Sequence, residues 1–323
     1  MSGSTGICHS QARTMSVQLP DILSFCNVFN LRANKHCRAV SRASEKWLVD
    51  SGVLLPSGME WSQAKVGLLA AACYPNTDVT QLRLITDFLS LLLYCDERAA
   101  ASAECAEERE DMFALLSDRL PRIAYKNPGW YIRFHKSQRS YLEARRQFSK
   151  NIGTGAVPDL ESYIELRREM SGFRMAFDMI EYAGDLSFPE SLFGDVVFRK
   201  LVEYACDIAA WSEDIVSCAK GISPSQTPNL VTILMKERSA SLDSALVFAG
   251  TLIKQSVDAF LEAEHELLSN SDLGTDREVQ RYVLGLRDWI AGSVNWLYET
   301  QRFLGEKGSE VRTFGWVFVP VTQ

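Results

Sequence analysis

Residues Trp211–Gly221, WSEDIVSCAKG, bring a carboxylate, a hydroxyl and a cation together in a segment of helical character. In a helix, Glu213, Ser217 and Gly221 follow one another at i, i+4 and i+8 and share a face, with Lys220 beside them. Such oxygen ligands suit a hard cation such as Mg²⁺, which keeps waters and substrate phosphate in its shell. The plainer interpretation is a solvated helix face that carries Glu, Ser and Lys.

The segments on both sides of this stretch also have helical periodicity. From Pro20 onward, apolar residues recur at three-to-four spacing between Gly and Pro breakers. We expect helices over residues 34–50, 60–73, 78–110, 108–120, 137–151, 160–182, 191–220, 229–236, 241–269 and 277–304. β-Branched alternation is confined to Trp316–Val321, where Pro320 excludes a central strand. The pattern predicts an all-α fold.

Composition restricts the class of protein. The chain has 323 residues, of which 46% are hydrophobic, enough to bury a large core. A net charge of −7 without a long Lys/Arg run argues against nucleic acid as a partner. Eight cysteines without C-x-x-C spacing argue against a zinc site or a disulfide framework. Because no signal peptide and no membrane span of about 18–20 apolar residues is found, we expect a soluble cytoplasmic protein.

Two parts of the chain differ in character. Residues 1–19 are rich in Ser, Gly and Thr and predict a flexible N-terminal tail. Residues 20–323 contain no repeat, charge block or linker. We expect them to form one domain of about a dozen helices around a central apolar cavity.

Two adjacent acids end the most apolar stretch of the chain. Asp96 and Glu97 follow Phe88–Tyr94, which we expect to lie in a helix that is buried on all sides. Carboxylates at the mouth of a cavity can coordinate divalent cations. The alternative is a helix that simply emerges into water.

Gly172 interrupts an otherwise strong helical pattern. A glycine in a helix interior costs about 1 kcal/mol relative to Ala, so we expect a local break there or a close approach of backbone to a ligand. Arg167 and Arg168 precede it and could present a planar fork to a diphosphate. The alternative is a surface helix on which these arginines pair with Glu165 or Glu169.

The stretch Trp211–Gly221 resembles the second metal motif of class I terpene synthases, Asn/Asp-Asp-Leu/Ile/Val-x-Ser/Thr-x-x-Lys-Glu. Asp214, Ser217 and Lys220 match that motif, and the following segment Asn229–Met235 resembles the fungal members of the family. The resemblance therefore implies the helical fold of a fungal-type class I terpene synthase.

Three further segments resemble this family in the same order along the chain. Asp96 and Glu97 are similar to the start of its first acid-rich motif, DDxxD or DExxD. Arg168 and Gly172 occupy the places of its diphosphate-sensing arginine and of the helix-break glycine whose carbonyl points at the substrate. Arg302 occupies the place of the arginine in its C-terminal Arg-Tyr pair, which binds diphosphate.

The chain departs from the family pattern at four positions. Glu213 stands where the family has Asn, Gly221 where it has the third ligand Glu, Ala100 where it has the last acid of the first motif, and Phe303 where it has Tyr. The exchanges at Glu213 and Gly221 leave the total charge of the ligands unchanged. We therefore expect Glu213→Asn to be tolerated only together with Gly221→Glu.

The resemblance implies Mg²⁺-dependent ionisation of farnesyl diphosphate, cyclisation to a sesquiterpene and release of diphosphate. It implies three Mg²⁺ ions bound with diphosphate, Mn²⁺ being the alternative ion. The implied metal ligands are Asp96, Glu97, Glu213 and Ser217, and the implied diphosphate ligands are Arg168, Lys220 and Arg302. Aromatic and apolar side chains would line the cavity and stabilise a carbocation; the candidates are Phe88, Leu92, Trp211, Trp289 and Trp296, with core packing as the alternative role of each.

Three other functions stay open at this point. The enzyme could release an acyclic or monoterpene alcohol of the nerolidol or linalool type. Gly221 and Ala100 suggest a prenyl-diphosphate-binding protein that has lost catalysis. A helical scaffold without a ligand is the third alternative, and the sequence predicts either a monomer or a homodimer.

Overall fold

The computed structural model describes residues 13–54, 59–101, 113–221 and 228–321. The helices are α1 (Ile22–Phe25), α2 (Cys37–Asp50), α3 (Met59–Gln63), α4 (Val66–Cys73), α5 (Val79–Ala101), α6 (Leu120–Lys126), α7 (Pro128–Thr154), α8 (Leu160–Met170), α9 (Phe173–Ala183), α10 (Glu190–Gly194), α11 (Val196–Ser217), α12 (Leu230–Glu237), α13 (Leu242–Ser269), α14 (Arg277–Glu299), α15 (Gln301–Leu304) and α16 (Gly308–Phe314). Short 3₁₀ turns, Cys218–Lys220 and Gly305–Lys307, follow α11 and α15. The predicted all-α class is confirmed.

Side-chain caps determine where several helices begin. Asp195 caps α11, and Asn229 and Thr232 form a reciprocal capping box at the start of α12. At α7, Asn127 is the cap and Pro128 takes the first helical position, where its missing N–H costs nothing. Helix α7 therefore begins earlier than the apolar periodicity predicted.

The break predicted at Gly172 is present and separates α8 from α9. Its φ of 74° lies in the left-handed region that favours glycine. A Cβ at this position would also lie 2.6 Å from Cδ1 of Leu92 on α5. The backbone conformation therefore favours glycine here, and the close packing of Leu92 adds to that preference.

Helix α11 lies at the centre of the bundle, packed against α13 and α14. Helix α5 is buried along most of its length, as predicted from its apolar sequence. Helix α14 approaches α4 so closely that a Cβ on Gly292 would lie 2.7 Å from the carbonyl carbon of Ala72. One hydrophobic cluster runs from Val17 to Val319, which supports a single-domain organisation.

Helix α13 is the one helix in the described part of the chain whose length and composition would suit a membrane span. It packs along α11 and contributes buried residues such as Leu246, Ile253 and Phe260 to the core. Its apolar character is therefore accounted for by its place in the bundle.

The flexible tail predicted for residues 1–19 is wrong over Arg13–Gln18. This segment forms strand β1, which pairs antiparallel with β2, Trp316–Val321. Val17 lies opposite Val317 and both are buried, which explains why the segment is ordered. The predicted C-terminal strand is present, whereas residues 1–12 lie outside the described residues.

Candidate active site

An apolar cavity lies where α5, α11, α14 and α15 converge. Its lining includes three charged residues predicted for the site, Asp96, Glu213 and Arg302. The remaining lining residues are Leu69, Leu89, Leu92, Leu93, Ser171, Phe173, Ala209, Trp289, Ser293, Trp296 and Leu297. The cavity volume is only about 30 Å³, roughly the space of one water molecule. A prenyl chain can therefore enter only if lining side chains or helices move.

Asp96 is held by two residues of α7 that the sequence did not predict. Tyr141 donates a hydrogen bond to Oδ1 of Asp96 at 3.1 Å, and Nη2 of Arg145 lies 3.4 Å from the same oxygen. Tyr141 and Arg145 are one turn apart and share a face of the helix. No local pattern indicated them, because α7 meets α5 only through the tertiary fold.

Glu213 forms an ion pair with Arg167, whose Nη2 lies 3.1 Å from Oε2 of the carboxylate. The same guanidinium donates through Nε to Oδ1 of Asp214 at 3.0 Å. Oδ2 of Asp214 accepts hydrogen bonds from the Tyr163 hydroxyl at 2.6 Å and from the Leu230 amide at 3.1 Å. Both carboxylate oxygens of Asp214 are thus used within the core, whereas the Glu213 side chain also lines the cavity.

The cations around Glu213 determine its ionisation. Burial alone would raise the pKa of this carboxyl, but Arg167, Arg302 and Lys220 together lower the pKa below its ordinary value. Glu213 is therefore a carboxylate at neutral pH. Glu213 stands where the family pattern has asparagine, and Arg167 balances the negative charge that this exchange adds.

Arg302 and Lys220 bring positive charge to the same end of the bundle. Nε of Arg302 is buried without a hydrogen-bond partner in the described part of the chain, and Oε1 of Glu97 lies 3.6 Å from it. Nζ of Lys220 lies 5.0 Å from the ring centroid of Phe303. Burial and Arg302 lower the pKa of Lys220, against the opposing effect of Glu97 and Glu213. Phe303, where the family has tyrosine, provides an aromatic face to both cations.

Arg168 lies outside the cavity lining, and its expected role as a diphosphate ligand stays a prediction. Its Nε and Nη2 donate to the two oxygens of Asp207 at 2.7 and 2.6 Å, and Nη1 lies 3.4 Å from Glu203. Adjacent helical residues point about 100° apart, so α8 presents Arg167 to Glu213 and Arg168 to a different face of α11. Neither arginine pairs with Glu165 or Glu169 among the ion pairs of the described residues.

Gly221 does not share a face with Glu213 and Ser217, which corrects the sequence interpretation. Helix α11 ends at Ser217, and Gly221 follows the 3₁₀ turn with a φ of 124°. The Ser217 hydroxyl donates to the backbone oxygen of Asp214 at 2.8 Å. A Cβ on Gly221 would lie 3.6 Å from the carbonyl oxygen of Pro320 in β2. That contact is an ordinary one, so the positive φ is what would strain a glutamate here, and the side chain would not extend the ligand row.

The aromatic candidates divide between the cavity and the core. Trp289 and Trp296 line the cavity together with Leu92. Phe88 is fully buried, with its ring against Phe113 and Phe134 at centroid distances of 6.0 and 5.7 Å. Trp211 is buried and is not part of the lining.

The backbone oxygen of Gly172 is already used within the fold. It accepts the Ala176 amide at 3.2 Å, inside the first turn of α9. The break at Gly172 is therefore confirmed, whereas its expected carbonyl contact with substrate stays a prediction.

The residues at the cavity mouth suit a divalent cation in donor type. Asp96, Glu97 and Glu213 offer hard carboxylate oxygens, and Nε of Arg302, which makes no hydrogen bond in the described residues, leaves a buried donor beside them. No group of three acidic, histidine or cysteine side chains is close enough to hold an ion by itself among residues 13–54, 59–101, 113–221 and 228–321. The site therefore fits an ion that binds together with an anionic substrate. Within the residues that the structure describes, the cysteines are free thiols, namely Cys26, Cys37, Cys73, Cys95, Cys206 and Cys218.

Comparison with known proteins agrees with this geometry. The family described as terpene synthase family 2, C-terminal metal binding, matches residues 75–259. Sesquiterpene synthase Agr1 of Cyclocybe aegerita is 32% identical, over 91% of this chain and 90% of its own length. Sesquiterpene synthase 2 of Postia placenta is 33% identical, over 96% of each chain. The crystal structure of germacradien-4-ol synthase from Streptomyces citricolor superposes with a TM-score of 0.69 at 23% identity, over 83% of this chain and 96% of that one.

These matches and the cavity define an all-helical enzyme of the class I terpene synthase type. The chain belongs to the terpene synthase family, whose matching domain binds metal.

Proposed function

We propose that this protein is a sesquiterpene synthase that ionises farnesyl diphosphate, cyclises the resulting carbocation and releases diphosphate. The observation that carries the proposal is the convergence of Asp96, Glu213 and Arg302 on one apolar cavity, where a buried donor of Arg302 has no hydrogen-bond partner in the described residues. The fungal relatives are named as sesquiterpene synthases, which supports a C15 substrate. We place the enzyme in the cytoplasm, as a monomer or homodimer.

The metal would be held by Asp96, Glu97 and Glu213, with Ser217 as a weaker oxygen ligand. We propose three Mg²⁺ ions bound with diphosphate, Mn²⁺ being the alternative. When bound, Mg²⁺ supplies positive charge next to the departing diphosphate. Arg145 and Tyr141 orient Asp96, and Arg167 orients Glu213, so each carboxylate is fixed before substrate arrives.

The cations of the chain take up the negative charge that develops on the leaving group. Arg302 lines the cavity and Lys220 lies near it beside Phe303, so their contribution needs little reorganisation. Arg168 joins them when the cavity opens and its guanidinium exchanges Asp207 for diphosphate. The three cations thereby stabilise the transition state of carbon–oxygen bond cleavage more than they stabilise the intact substrate.

The cavity walls protect the carbocation from water. Trp289 and Trp296 present aromatic faces, and Leu92 and its apolar neighbours offer no nucleophile. The walls leave little space in this conformation, so the substrate must displace the lining side chains when it binds. The side chains then close around its prenyl chain. Product identity then follows from the shape of the resealed cavity.

The test is the release of diphosphate from farnesyl diphosphate as Mg²⁺ is titrated. We expect no release in EDTA, activity with Mg²⁺, and a loss in Arg302→Ala that Arg312→Ala does not share. Arg312 is a suitable control because it lies on α16 outside the cavity lining and pairs near the surface with Glu299. Activity that survives in EDTA, or equal rates in both variants, would refute the proposal.

A further inference from the structure

A second cavity lies between α7, α9, α11 and α14, away from the catalytic cavity. Its volume is about 340 Å³, and none of its lining residues also lines the first cavity. On α14, Tyr282 of this cavity precedes Trp289 of the first by two helical turns, roughly 10 Å along the helix axis. A volume of this size is within the range of small-molecule sites.

Three buried polar atoms of the cavity lining have no hydrogen-bond partner in the described residues. Nε of Arg174 lies 2.8 Å from Oε1 of Glu169 in an ion pair, so two atoms remain. One is Nε of Arg133, a side chain that is 10% exposed and whose other nitrogens pair with Glu181 and Glu190. The other is Oδ2 of Asp178. Buried polar groups in folded proteins are normally satisfied by protein, water or ligand, so both atoms indicate a missing polar partner in the cavity.

Four cations, Arg133, Lys136, Arg174 and Arg199, and two acids, Glu169 and Asp178, line this cavity, and the lining therefore favours an anion over a cation. Lys136 and Arg199 are exposed at its rim, and neither forms an ion pair within the described part of the chain. Arg174 pairs with Glu169, and the hydroxyl of Ser140 adds a donor, whereas the hydroxyl of Ser137 is hydrogen-bonded to Asp178.

Asp178 does not oppose that charge strongly. Burial raises its pKa to about 7, with Glu181 adding to the effect and with Ser137, Arg133 and Arg174 opposing it. Near neutral pH a large share of this carboxyl is protonated and can donate a hydrogen bond to an anion. The cavity thus offers an excess of donors over acceptors.

We propose that this cavity is a second ligand site, for a small molecule that bears a phosphate group on an apolar body. The anionic group lies against Arg133, Lys136 and Arg199, and the apolar part lies against Phe193 and Val202, the half-buried apolar residues of the lining. Such a ligand satisfies the free donor of Arg133 and buries apolar surface together. The site needs no metal and is independent of the catalytic carboxylates.

The test is isothermal titration calorimetry in EDTA, with a protein that carries Arg302→Ala so that the catalytic mouth binds anions poorly. Phenyl phosphate and inorganic phosphate are the two probes. We expect saturable binding of both, at least about tenfold tighter for phenyl phosphate because the ring adds apolar contact. Equal affinity of the two probes would mean that only the anion is recognised and would overturn the assignment of the apolar wall.

Variants at the rim locate the binding. Arg199→Ala should weaken phenyl phosphate binding about tenfold, the loss expected for one charged contact. Lys200→Ala is the matched control, because Lys200 is the neighbouring exposed cation and does not line the cavity; it should change the affinity less than twofold. Absence of saturable binding, or equal losses in both variants, would refute the second site. Both substitutions are on the surface, so they leave the fold intact, and unchanged circular dichroism confirms this.

Discussion

Removal of Arg167 tests the network that fixes Glu213. This guanidinium is buried and contacts Glu213, Asp214 and the backbone oxygen of Ala210. Arg167→Met keeps a similar length and apolar stem but deletes the charge. Asp214, whose side chain is only 6% exposed, then keeps the Tyr163 and Leu230 hydrogen bonds but loses its cation.

The expected cost follows from the burial of the pair. Removing one partner of a buried ion pair costs about 3–5 kcal/mol, because an uncompensated charge is left inside. An unfolding entropy of about 2.1 cal/mol/K per residue gives roughly 0.7 kcal/mol/K for 323 residues. Tm should therefore fall by about 4–7 °C.

The assay is thermal unfolding followed by circular dichroism, with Lys46→Met as the control. Lys46 pairs with Asp50 on the surface, where the side chains are 75% and 59% exposed, and its loss should lower Tm by less than about 1.5 °C. Arg167→Lys should fall between the two, because an ammonium cannot reach both carboxylates as a planar fork does. A Tm of Arg167→Met no lower than that of the control would refute the reasoning.

The remaining predictions concern the site and its pH dependence. Asp96→Asn should lower kcat at least about 10²-fold, measured by diphosphate release, because the amide lacks the charge of the leading metal ligand. Glu213→Asn with Gly221→Glu should stay as impaired as Glu213→Asn alone, since φ at Gly221 disfavours a side chain; rescue of the rate would show that the loop rearranges. Arg168→Ala should lower kcat about 10²–10³-fold. A lower Tm with unchanged kcat would show that Arg168 only forms the ion pair with Asp207 and does not bind diphosphate. Asp178 has a folded-state pKa above its unfolded value, so it lowers the free energy of unfolding as pH rises from about 4 to 7. Between pH 5 and 8 the Tm of Asp178→Asn should therefore fall less than the Tm of the wild type.

The sequence predicted the elements whose determinants are local. The buried character of α5 follows from an unbroken apolar run, and the break at Gly172 follows from a glycine inside a helical pattern. The sequence predicted a helix as far as Lys220, whereas α11 ends earlier. The 3₁₀ turn Cys218–Lys220 that follows it contains no Gly or Pro that could have indicated this end.

The features that depend on distant contacts could not be predicted. Strand β1 looked like a tail because its partner β2 lies about 300 residues later in the chain. The order Arg167-Arg168 does not reveal which side chain faces the cavity, since one residue of helical phase decides it. Local sequence patterns could not indicate Arg145 either, because its partner Asp96 lies on another helix.

The most direct test of the central claim is the product formed from prenyl diphosphates. The purified protein is incubated with Mg²⁺ and geranyl, farnesyl or geranylgeranyl diphosphate, and the volatiles are analysed by gas chromatography with mass spectrometry beside Glu213→Gln. We predict a cyclic C15 product from farnesyl diphosphate that Glu213→Gln fails to form. An acyclic or C10 alcohol as the main product, no product from any of the three substrates, or the same product from Glu213→Gln would contradict the account.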